Sequence, residues 1–311
     1  MRIVALVPGG IGDQVLFFPT LDDLRKTYPD AEIDVVVEPK AKAAYRVCKS
    51  VDDVLLFDYS DRNSPADWAN LLGVMRDRYY TVAIYSGQGW GVELLMWLTG
   101  IPTRVGFSSS AGKRFLTDVV ADKAEQYPAH RYHDLLQGIN VATPAPDLTI
   151  GIPKGDLDWA EGEQKRLGIK GSGYVLLHDG AYEAYPIDRW KAIVQSFRQQ
   201  QPNLPIVIAA SSQNPALTTA LTADYPELKV TAPGDFGKLA AMIAGANLML
   251  CTESAPMHLA VALQVYTLAL LNSASAASLM PQTDKFAAIP SATGKLADIP
   301  PEQVLAKVWG G

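Results

Sequence analysis

The chain has 311 residues, 48% of them hydrophobic and 19% charged, which is enough for one large or two medium domains, each with its own core. A formal charge of -6 and the lack of any dense Lys/Arg stripe beyond short pairs such as Lys113-Arg114 argue against nucleic acid as a partner. Only about six apolar residues precede Pro8, and no later run approaches the ~20 that a membrane span needs, so a cytoplasmic protein is expected, with a peripheral contact at the inner face of the membrane left open.

Short β-branched runs alternate with longer amphipathic stretches along the first half. Strands are expected over 3–7, 33–37, 54–57 and 81–85, and helices over 20–28, 40–49 and 68–78. This is the βαβα rhythm of a parallel sheet covered by helices. Residues 142–156, in which three prolines and two glycines interrupt any helical period, read as a linker. The rhythm then restarts. Helices are expected over 158–167, 188–200, 216–225, 236–245 and 256–263, and strands over 174–178, 206–210, 229–231, 248–251 and 267–271, with a closing helix over 300–309. The fold class is therefore α/β, two Rossmann-like doubly wound domains over 1–150 and 151–311, expected to face each other across a cleft where open sheets bind ligands.

Three loops carry chemistry, and each follows a strand and precedes a helix. In "VPGGIGDQV" the first strand runs into Gly9, Gly10 and Gly12, and an acid, Asp13, stands at the mouth of the next helix. Gly10-x-Gly12 opens a dinucleotide fingerprint and Glu38 could serve as its ribose acid, but Val15 holds the place of the third glycine and Asp13 would repel a pyrophosphate. The bland reading of Asp13 is a first-turn acid that complements the helix dipole. In "YVLLHDGAYEAYPIDRW" a strand ends at His178, and the small residues Gly180 and Ala181 would let backbone N–H groups face a ligand. In "LMLCTESAPMHLAVAL" a strand ends at Cys251; Ser254 is a plausible N-cap and Pro256 enters the helix that carries His258. Asp156 and Asp158 have a spacing used to hold a divalent metal beside a nucleotide sugar, but they lie in the linker, so no metal site is expected. Cys48 and Cys251, both in apolar stretches, read as buried thiols of a reducing compartment.

Together these residues resemble the ADP-heptose lipopolysaccharide heptosyltransferase family, glycosyltransferase family 9, of GT-B fold. The opening "GGIGDQVLFFPTLDDLRKTYPDAEIDVVV", the landmarks "TRVGF" and "HRYHDLL", and the pair "HDGA…YPIDRW" and "ESAPMHLA" carry the likeness over nearly the whole chain. The resemblance implies an inverting, metal-independent glycosyltransferase without a cofactor, moving a heptose-like sugar from a nucleotide diphosphate sugar, of ADP type, to a lipopolysaccharide or other anionic surface-glycan acceptor. It makes Asp13 the general base. It places Gly12, His178, Gly180, Ala181, Glu183, Glu253, Ser254, Ala255 and His258 at the donor, and it implies that the closing helix returns to the first domain. Arg62, Lys113 and Arg114 are the cations available to meet an anionic acceptor, against the plainer reading of solvated surface charge.

The donor half departs from the family pattern. Glu183 stands where a diphosphate-neutralising Lys is usual, Ala255 replaces a glycine at a point of close backbone approach, and Leu271-Asn272-Ser273-Ala274 replaces Phe-Gly-x-Thr. Lys154, Arg189 and Lys191 are the cations that could compensate. The alternative reading is a catalytically silent protein of the same fold that binds or scaffolds a protein partner.

Overall fold

The structure, a computed structural model, describes residues 1–59, 63–169, 171, 173–180, 184–210, 215–272, 278–281 and 283–310. The chain divides into two compact units, Met1–Thr149 and Ile150–Gly311. In the first, β1 (Arg2–Val7), β2 (Glu32–Val37), β3 (Asp53–Leu56), β4 (Val82–Tyr85), β5 (Thr103–Phe107) and β6 (Asp118–Val120) form one sheet in the order β3-β2-β1-β4-β5-β6. In the second, β7 (Val175–His178), β8 (Ile206–Ala209), β9 (Lys229–Thr231), β10 (Leu248–Thr252), β11 (Tyr266–Leu271) and β12 (Phe286–Pro290) take the order β12-β11-β10-β7-β8-β9. All neighbouring strands are parallel.

Parallel strands need crossovers, which put helices on the sheet faces and bury the strands on both sides. The uninterrupted apolar runs fit that demand: Ile3 to Val7 in β1 and Val35 to Val37 in β2 have no exposed surface. The crossovers of the first unit include α1 (Ile11–Thr27), α2 (Pro65–Asp77) and α3 (Trp90–Thr99), with α4 (Pro128–His133) after the last strand. The second unit opens on α5 (Lys154–Arg166) and continues with α6 (Ile187–Gln200), α7 (Pro215–Asp224), α8 (Phe236–Ala244), α9 (Ala255–Ala262) and α10 (Pro301–Trp309). Each sheet starts at its centre, builds outward for three strands, then returns to the centre and builds the other way. The reversal falls between β1 and β4 in one unit and between β7 and β10 in the other, and loops leaving the carboxyl ends of such a pair diverge to leave a ligand crevice.

Several expectations need correction. Helix α1 starts at Ile11, nine residues before the expected 20, and runs through Pro19. The missing backbone bond at Pro19 is outweighed by the burial of Val15, Leu16, Phe17 and Phe18. The stretch expected as a helix over 40–49 is a 3-10 helix, Pro39–Val47. Asp156 lies not in a linker but in the first turn of α5, where it is buried. The closing helix α10 packs against α6 and β12. Val304 is fully buried in the core cluster built on Trp190, Ile193 and Leu177, and the Trp309 ring meets Phe197 at 4.9 Å.

At the amino end of β2, Asp34 is fully buried and accepts hydrogen bonds from Arg78 Nη1 at 2.7 Å and from the Tyr80 hydroxyl at 2.5 Å. Removing the guanidinium strands a buried charge. Arg78→Ala should therefore cost about 3 kcal/mol in urea-induced unfolding; a loss below about 1 kcal/mol, the range of exposed pairs, would show that the pair does not act as a buried one.

Candidate functional site

The expected loops lie at the two reversal points. In the first unit, β1 leads through Gly9 and Gly10 into α1. Gly9 has φ of +106°, and a Cβ there would run into the Asp13 carboxylate, so the turn requires glycine. The Gly10 amide donates to Asp13 Oδ2 at 2.8 Å, and the Tyr132 hydroxyl from α4 donates to Oδ1 at 3.4 Å. Asp13 is half-buried. Burial raises its pKa, the Gly10 amide and Tyr132 pull the other way, and Glu38 adds a like-charge push upward. The Gly9 amide donates to Glu38 Oε1 at 3.2 Å. Gln14 anchors the turn from below, donating to the Val7 carbonyl at 3.1 Å while accepting from the Tyr45 hydroxyl at 2.8 Å. The arrangement holds a carboxylate in place with neutral donors.

In the second unit, β7 and β10 run side by side, with Cys251 in register with His178. Their following loops are stitched together. The Thr252 hydroxyl donates to Asp179 Oδ1 at 3.0 Å and accepts from the Gly180 amide. This corrects the expectation that the Gly180 N–H faces a ligand: it is spent on Thr252. The glycine is required for a different reason, since a Cβ there would lie 2.6 Å from the Glu253 carbonyl oxygen. Ser254 is the N-cap of α9, but its side chain does not cap; it donates instead to the Thr252 carbonyl at 3.1 Å. In the first turn of α9, Pro256 has no N–H and the Met257 amide donates to the Ser254 carbonyl at 3.0 Å, which leaves the Ala255 amide as the group that an anion at this helix N-terminus could meet.

Both histidines of this half are buried, and each leaves Nδ1 without a partner. Burial depresses both to about 4, so they are neutral hydrogen-bonding groups near pH 7. Glu253, half-buried with Oε2 unpartnered, is raised by burial. Unpaired buried polar atoms are uncommon in native folds, and three of those in this chain lie at the end of β7, after β10 and in the first part of α9, where a polar ligand could pair them. Of the candidate compensating cations, Lys191 pairs with Asp224 at 2.6 Å and Arg189 donates to the Ile299 carbonyl. Lys154, at the start of α5, is exposed.

Gly12 and Asp13 thus share the first turn of α1, while His178, Gly180, Glu253, Ser254, Ala255 and His258 gather at the β7/β10 reversal. Lys113 and Arg114 are exposed on a 3-10 turn after β5. Arg62, Ala181 and Glu183 lie outside the described residues. Reading the sequence singled out neither Tyr132 nor Thr252. The signal for Tyr132 was its place in "HRYHDLL"; Thr252 left none, because its role exists only through the pairing of two distant strands. Among the described residues no group of three His, Cys, Asp or Glu is placed to hold a metal.

The profile of glycosyltransferase family 9 (heptosyltransferase) matches residues 68–308. The chain is 22% identical to the Arabidopsis thaliana photosynthetic NDH subunit of subcomplex B 1, chloroplastic, over 96% of this chain and 71% of that protein. It is also 22% identical to lipopolysaccharide heptosyltransferase 3 of Escherichia coli K12, over 88% of this chain and 83% of that one. The solved structure of the E. coli heptosyltransferase WaaC with ADP-2-deoxy-2-fluoro heptose superposes with a TM-score of 0.78 at 14% identity, covering 99% of both chains. At that identity the likeness is one of fold, and the fold is GT-B.

The two histidines make stability depend on pH. Their folded values, about 4, lie below the ordinary 6.5, so the unfolded chain takes up protons first as the pH drops. Their contribution is complete above 6.5 and is lost toward 4, on the order of 3 kcal/mol per histidine. Chemical unfolding across that window should show His258→Gln with a shallower pH slope than the parent; identical slopes would mean that His258 is not buried in its neutral form.

Proposed function

Since the chain belongs to glycosyltransferase family 9, the heptosyltransferases, we propose that it moves a heptose-like sugar from an ADP-type nucleotide diphosphate sugar to a hydroxyl of a lipopolysaccharide-like anionic surface glycan or glycolipid, with inversion and with Asp13 as general base. In this reading the acceptor oxygen attacks the anomeric carbon while its proton passes to Asp13. The bond from that carbon to the diphosphate breaks, and the nucleotide diphosphate leaves with the electron pair. A single displacement inverts the centre.

The observation that carries the reading is the Asp13 carboxylate at the β1/β4 reversal. It is fixed by neutral donors and shifted upward by burial, which brings a base closer to the pH at which it works. For the donor, the α9 dipole with the Ala255 amide and the neutral imidazoles of His178 and His258 supply favourable groups for a developing diphosphate charge. The ADP-sugar with which WaaC was solved and the name of the E. coli relative support the donor and acceptor classes. Lys113 and Arg114 are the described cations assigned to the acceptor side.

A second reading, a silent member of the fold acting as a subunit of a larger complex, is favoured by one observation. The Arabidopsis relative, similar over 96% of this chain, is named as such a subunit.

Asp13→Asn tests the first reading. Asn preserves an oxygen for the Gly10 amide, so α1 keeps its start, while the base is lost. We expect transfer to fall by roughly 10²–10⁴-fold with nucleotide affinity unchanged; a variant of equal turnover would remove Asp13 from the mechanism. The pH profile gives an independent check. Only ionised Asp13 accepts the proton, so the rate should fall on the acid side, with its midpoint above that of an ordinary aspartate because burial raises the pKa. Nucleotide binding without transfer in the wild type would favour the subunit reading.

A further inference from the structure

Helix α3 is apolar on two faces. Its inner face buries Val92, Leu95 and Met96. Its outer face carries Trp90, Leu94, Trp97 and Leu98, which fall on one stripe at helical spacing, with Trp90 59% and Trp97 51% exposed. A helix apolar all round is ordinarily enclosed by other structure. The only charged residue of α3, Glu93, is fully buried on the inner side, where it accepts from the Ser110 hydroxyl at 2.7 Å, so the outer stripe holds no charge.

The groups tied to this stripe give it a sign. The Trp97 ring meets Phe115 at 6.0 Å, and the Arg114 guanidinium stands 4.8 Å from the Phe115 ring centroid. Arg76 donates to the Leu98 carbonyl at 2.8 Å, and Lys113 adjoins Arg114 on the same exposed turn. In a chain of net charge -6, the charged side chains tied to the apolar stripe, Arg76 through the Leu98 carbonyl and Arg114 through Phe115, are cationic. Tryptophan and leucine bordered by Arg and Lys is the composition of a helix that lies in the plane of a membrane, its apolar face sunk among the acyl chains and its cations at the headgroups. We propose that the outer face of α3, with Arg76, Lys113 and Arg114 at its rim, docks on an anionic lipid surface. The inference does not depend on sugar transfer; a silent protein with this face would dock equally.

The test is co-sedimentation of the full chain with vesicles of phosphatidylglycerol mixed into phosphatidylcholine, and with phosphatidylcholine alone. Binding is expected to the anionic vesicles, weakened in salt of about 0.5 M, where screening shortens the reach of the cations. Trp90→Gln/Trp97→Gln should weaken it by at least roughly tenfold. Lys113→Glu/Arg114→Glu, which keeps every apolar side chain of the stripe, should weaken it by at least roughly fivefold for each cation lost. Tryptophan emission of the wild type should shift to the blue on binding. Failure of the wild type to bind any vesicle, or undiminished binding by both variants, would overturn the proposal. So would light scattering that shows a dimer which the tryptophan variant converts to monomer, because the stripe would then be covered by a second copy.

Discussion

Parallel strand pairing is the constraint from which the rest of this molecule follows. Each connection must cross back over the sheet, and a chain that starts at the sheet centre must leave two neighbouring loops diverging where its order reverses. Each unit has one such place, and the chain puts its unusual chemistry there: a held carboxylate after β1, and two imidazoles with unpartnered Nδ1 atoms at the end of β7 and in α9. Residues such as Gly9 and Gly180 are explained by this crowding. Both allow a loop to approach another group more closely than any Cβ would permit.

The electrostatics of the two places differ in kind. Asp13 is held by the neutral donors Gly10 and Tyr132, no salt bridge to it is formed among the described residues, and burial leaves it a stronger base than a surface aspartate. The loops proposed for the donor offer neutral hydrogen-bonding groups and a helix N-terminus, while two of the three cations weighed from sequence as compensation, Arg189 and Lys191, are engaged within their own unit. An anion bound there would be held by oriented dipoles rather than by a lysine, and dipoles act strongly only where water is excluded.

Much of the fold was legible because buried strands of β-branched residues and amphipathic helices repeat with distinct periods. What escaped did so for physical reasons. Helix α3 is apolar on both faces and so has no period to read. The start of α1 was hidden by glycines and by Pro19, which local propensity places in a loop and tertiary burial overrides. Strands β6 and β12 were missed as well: β6 is only three residues long, and the sequence of β12, Phe-Ala-Ala-Ile-Pro, lacks the β-branched run that marks a strand. At the candidate site, Asp13, His178, His258 and Gly180 stood out by their places between a strand and a helix, with their roles drawn from the family resemblance, but the hydrogen bonding of Gly180 did not. Whether its N–H faces outward depends on Thr252, more than seventy residues away and adjacent only because β7 and β10 pair.

The central claim is that the β7/β10 loops receive a nucleotide diphosphate without a neutralising lysine. Thermal unfolding of the full chain with increasing ADP, beside GDP and UDP, tests it most directly, because a ligand of the native state raises stability by RT ln(1 + [L]/Kd). The expected result is a dose-dependent rise in Tm with ADP that exceeds the rise with the other two and is lost in His258→Ala. No rise with any of the three at millimolar concentration would contradict it.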